Sequence, residues 1–150
     1  MRTRTCSIFV ALVVTSASSC MVFDRPLRPV PLPDPRTVDR VTVAPPDSQE
    51  AVVDDPARVE RLLTFLAARN HGWHATWHTF PSPQYSIGFK RGADLVLIVW
   101  VGPDWLGVRE MGTKTAPDDR IRDLPANDRA ELLAILGVPA DPPVTPPAAR

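Results

Sequence analysis

The chain has 150 residues, 17 basic and 17 acidic side chains with no net formal charge, 18 prolines, and cysteines only at positions 6 and 20. With no basic excess or Lys/Arg block to neutralise phosphates, nucleic acid is not an expected partner. Once an N-terminal segment containing Cys6 is removed, the chain has no second cysteine for an internal disulfide, and its stability must come from packing.

Arg2 and Arg4 precede the apolar run Ile8-Phe9-Val10-Ala11-Leu12-Val13-Val14, and the small residues Ser16-Ala17-Ser18-Ser19 lead to Cys20. A positive end, a short apolar stretch and small residues in that order read as an export signal over residues 1–19. The apolar run is about seven residues where a bilayer span takes about 20, so a permanent transmembrane helix is not expected.

Ala17-Ser18-Ser19-Cys20 resembles the lipobox of bacterial lipoproteins, with Ala17 where leucine is usual. The resemblance implies diacylglyceryl attachment to the Cys20 thiol, cleavage before it, and acylation of the new amino group by a fatty chain such as palmitate. Each buried methylene contributes about 0.8 kcal/mol, and two or more chains anchor stably. The implied location is the cell envelope. In a Gram-negative cell, Met21 in place of aspartate implies transfer to the outer membrane. The same three small residues also satisfy the small-x-small rule of ordinary secretory cleavage, and a secreted or periplasmic chain is the alternative.

Residues 24–36 contain five prolines, which remove backbone donors and fix φ. A tether over 20–37 is expected. Extended at about 3.1 Å per residue, residues 21–40 would reach roughly 60 Å. Residues 139–150 hold five more prolines and read as a disordered tail, leaving residues 38–138 as one domain with a single core.

Val41 and Val43 alternate with Arg40 and Thr42 in an expected strand over 38–44, stopped by Pro45-Pro46. Asp54 or Asp55 then caps a helix with Pro56 in its first turn. Val59, Leu62, Leu63 and Leu66 fall on one face, and Asn70 to Gly72 end it. From Trp73 the period is two, with Trp73, Ala75 and Trp77 on one side and His74, Thr76 and His78 on the other, until Pro81. A three-strand meander follows. Its strands are Tyr85 to Lys90, then Leu95 to Val101, which is apolar on both faces and therefore central, then Trp105 to Glu110. Met111 to Asp123 has no clear period and reads as a loop. Residues 125–137 read as a helix with Leu132, Leu133 and Leu136 inward and Gly137 as its stop. The expected fold is α+β, an antiparallel sheet of about four to five strands with two helices packed on one face.

Candidate chemistry is sparse. His71, His74 and His78 are the only histidines. On a strand, His74 and His78 stand roughly 13 Å apart, too far to share a zinc about 2.1 Å from each, so no metal is expected. No Gly-x-Ser-x-Gly elbow or phosphate-binding glycine loop occurs, so no catalytic residue and no cofactor is assigned. Among the four tryptophans, Trp73, Trp77 and Trp100 read as core packing. Trp105, following a Gly-Pro-Asp turn and expected to be partly exposed, forms with His78 and Phe80 the candidate contact surface. The reading is a lipid-anchored envelope protein with a non-catalytic binding or assembly module, whose partner is an envelope protein or a cell-wall component. The rival is a secreted or tethered hydrolase inhibitor or small hydrolase.

Overall fold

In a computed structural model, residues 27–45, 49–75, 81–112 and 119–140 are described. The expected signal, Cys20, Trp77, His78, Phe80 and the tail beyond Ala140 lie outside them. The elements are β1 (Arg40–Ala44), β2 (Ala51–Val53), α1 (Pro56–Ala68), β3 (His74–Ala75), β4 (Tyr85–Arg91), β5 (Asp94–Val101), β6 (Trp105–Glu110), β7 (Arg120–Asp123) and α2 (Ala126–Leu136). The fold is α+β, as expected.

The described sheet has seven strands in the order β2-β1-β4-β5-β6-β7-β3, every pair antiparallel. The expected four to five is too few. β2 has three residues, too short for alternation to show. β7, within the segment expected as a loop, is Arg-Ile-Arg-Asp, whose single apolar residue carries no visible period. Backbone pairing, which any residue but proline can supply in full, makes both into strands.

Register sorts the side chains into two faces. Val43, Ile87, Val99 and Val108 align across β1, β4, β5 and β6, and all are buried. One cluster joins this face to Val59, Leu62, Leu63, Phe65 and Leu66 of α1 and Leu132, Leu133 and Leu136 of α2. The two helices touch each other. α1 begins where the Asp55 carboxylate accepts the Ala57 N–H at 3.0 Å, followed by Pro56. α2 ends at Gly137, whose φ of 69° is left-handed; bonds from Gly137 N to the Ala134 carbonyl and from Val138 N to the Leu133 carbonyl complete a Schellman stop.

The described part of the expected tether is docked. Leu27 pairs with Trp73, and Val30 is 3% exposed within the core cluster. Asn70 holds this segment as a strand partner would, its Oδ1 accepting the Val30 N–H and its Nδ2 donating to the Val30 carbonyl, each at 2.7 Å. Trp73 Nε1 also donates to Asn70 Oδ1 at 2.9 Å. Residues 35–37 form a 3-10 turn begun by Asp34. At the other end, the Tyr85 hydroxyl donates to the Pro139 carbonyl at 2.7 Å. No helix among the described residues is long and apolar enough to cross a membrane.

Candidate functional site

The second face of the sheet is built from the alternate residues of the same strands. One row runs Val52, Thr42, Gly88, Ile98, Arg109 across β2, β1, β4, β5 and β6; the next runs Ala44, Ser86, Trp100, Gly107, Ile121, His74. Ile98 and Trp100 are half-buried, whereas their neighbours Leu97, Val99 and Val101 on the first face are fully buried. Val52 is 54% exposed. A groove of 260 Å³ lies here, its walls including Thr42, Ser86, Gly88, Leu95, Ile98 and Trp100.

Charged groups border it. Lys90 and Glu50 pair at 3.3 Å on one side. On the other, the Arg109 guanidinium lies 5.3 Å from the centre of the Trp100 ring and donates from Nε and Nη2 to the two carboxylate oxygens of Asp119. Those bonds to Asp119 raise the Arg109 pKa further above the ordinary guanidinium range, against the opposing effect of burial. Fixed planar guanidinium groups beside aromatic rings offer directed donors on an apolar floor. Gly88 makes the floor flat, since a Cβ there would stand 2.9 Å from Thr42 Oγ1.

Trp105 does not meet its expected partial exposure, being 6% exposed. It projects to the second face with Gly107 and Arg109, and its indole packs so closely on Gly102 that a Cβ there would collide with the ring. The turn Gly102-Pro103-Asp104 folds back over the ring instead of presenting it, with Gly102 N donating to the Trp105 carbonyl at 2.8 Å. Trp73 is in the core as expected, 2% exposed, while Trp100 sits half-buried on the second face. His71 is exposed and His74 half-buried. Among the described residues, no group of three or more His, Cys, Asp or Glu could hold a metal ion.

The sequence assigns no site role to Ile98 or Arg109, and places Asn70 only at the end of α1. The signal for Ile98 was present, because a strand apolar on both faces must place one apolar set on each face of the sheet. Nothing in spacing marks Asn70 as a clasp for Val30, 40 positions away.

A second polar centre joins the helices. Arg69, after the last residue of α1, donates to Asp128 at 2.8 Å and Glu131 at 2.7 Å on α2 while stacking 3.8 Å over the Phe65 ring. The hydrogen bond from Arg69 holds the Asp128 carboxyl below its ordinary value of 3.8. The residues around it fill structural pairings. The chain matches no protein-family model, no curated protein and no solved structure.

Proposed function

We propose that this chain is a lipid-anchored cell-envelope protein whose domain is a non-catalytic binding or assembly module for another envelope protein. The anchor is Cys20, and its support is the lipobox-like Ala17-Ser18-Ser19-Cys20 behind an apolar run. Both helices cover the same face of the sheet in this reading, supported by the single cluster that joins them to it and by their mutual contact. That leaves the second face for recognition.

The observation that carries the binding reading is the pairing of half-buried Ile98 and Trp100 with Arg109 and the Lys90–Glu50 pair around one groove. Apolar and aromatic centres with charged rims are the anatomy of protein interfaces. A partner of that kind would bury the Ile98 and Trp100 side chains and meet the fixed charge of Arg109.

Intact-mass analysis of the protein from its native membrane, beside a Cys20→Ala variant, tests the anchor. The expected species starts at Cys20 with added acyl mass, and the variant lacks it. An unmodified soluble chain would overturn the anchored reading and bring forward the secreted inhibitor or hydrolase.

A further inference from the structure

The docked segment changes how an anchor at Cys20 would present the domain. From Cys20 to Leu27 the chain has seven residues, a reach of about 25 Å at full extension. A free tether to residue 40 would have allowed roughly 60 Å. The first described contacts, Leu27 N to the Trp73 carbonyl at 2.9 Å and Arg120 Nη1 to the Arg28 carbonyl at 2.7 Å, lie beside β3 and β7. Whatever holds Cys20 therefore holds this edge of the sheet within about 25 Å of itself.

The same edge is basic. Arg120 and Arg122 project to the first face at β7, aligned with Val108 and Leu106, and exposed Arg28 lies on the docked segment next to them. Arg120 and Arg122 donate to backbone carbonyls, those of Arg28, Arg69 and Asp123; among the described residues neither bonds to a carboxylate, and Arg122 acts on Asp128 only through its charge. The neighbouring carboxylates of α2, Asp128 and Glu131, are engaged by Arg69. Asp123 is exposed at the end of β7 on the opposite face.

We propose that the edge formed by Arg28, Arg120 and Arg122 is the membrane-facing surface of the domain and rests on anionic lipid headgroups. This rests on the anchored reading above. The short reach brings the edge to the bilayer, and each arginine near an anionic surface contributes about 1 kcal/mol. Three such contacts are too weak to recruit a free protein but sufficient to orient one already attached. The second face then stands clear of the lipid, presented sideways to a partner in the same envelope.

The test supplies the anchor chemically, so that it does not depend on what the cell attaches. The chain of residues 20–150, whose only thiol is Cys20, is coupled to maleimide lipid in a supported bilayer containing phosphatidylglycerol, and neutron reflectometry measures the position of the protein layer. The expected layer abuts the headgroups. The triple variant Arg28→Gln, Arg120→Gln, Arg122→Gln moves outward by about 10 Å, one Debye length at 0.1 M salt. Wild type on a phosphatidylcholine bilayer, or on the anionic bilayer in about 0.5 M salt, where screening shortens that length, adopts the variant's position without any substitution. Replacing Arg58 and Arg61 of α1 by glutamine leaves the wild-type profile unchanged. Identical profiles for unsubstituted protein on the anionic and neutral bilayers at low salt would overturn the proposal. Failure of lipidation in the cell would appear only in the intact-mass measurement.

Discussion

The two faces of one sheet differ more in their neighbours than in their composition. On β5 both sets of side chains are apolar, Leu97, Val99 and Val101 on one side and Leu95, Ile98 and Trp100 on the other, across a register shift at Val96. The first set is fully buried and the second half-buried. The strand itself does not encode the difference. β4 does, with Tyr85, Ile87 and Phe89 opposed to Ser86, Gly88 and Lys90, and its register imposes the choice on β5. The first face carries the core, and a partner bound on the second, as proposed, would leave that core intact.

The comparison breaks most readily at Phe89, which has no exposed surface and sits in the central cluster. Phe89→Ala should cost about 3–5 kcal/mol, as large core deletions do, measured by urea denaturation. Ile98→Ala on the second face should cost less than half of that. Equal costs would mean that the second face is core as well.

Asn70→Ala should follow at about 2 kcal/mol, because it removes three hydrogen bonds and leaves the Val30 backbone groups without that partner. Proteolysis within residues 27–36 should accelerate in the variant while the helices remain protected to hydrogen exchange. Unchanged proteolysis would show that the segment is held by its other contacts.

Gly102→Ala sharpens the reading of Trp105. The added methyl must displace the indole, at a cost of about 1–3 kcal/mol typical of overpacking, and near-ultraviolet circular dichroism should report the moved ring. A silent substitution would mean that the ring has room to shift freely.

The smallest effect is expected at the helix junction. Arg69→Gln should cost about 1 kcal/mol at neutral pH, as partly exposed ion pairs do. Asp128 has its folded pKa depressed by Arg69, so its contribution is complete above the ordinary value of 3.8 and is lost as pH falls through the lower folded value. The stability gap between wild type and variant should therefore narrow below about pH 4. A gap independent of pH would assign it to the stacking on Phe65 instead.

Much of the fold was legible because its signals are local. Val59, Leu62, Leu63 and Leu66 with Asp55 and Pro56 specify α1, and Gly137 specifies the stop of α2. β7 and the docking of residues 27–30 were not legible, since a strand with one apolar residue and a proline-rich segment held by Asn70 acquire their structure from partners distant in sequence. The candidate surface divides the same way. Trp105 turned inward because a glycine lets the chain fold over it, whereas the groove around Trp100 arises from the register of β1, β4 and β5.

Photocrosslinking in intact cells tests most directly whether the second face is the recognition surface. A benzophenone side chain placed at Ser86 or Val52 on that face should give one discrete crosslinked species in the envelope, and the same group at Glu60 of α1 should give none. Crosslinks from Glu60 alone, or from neither face, would contradict the account.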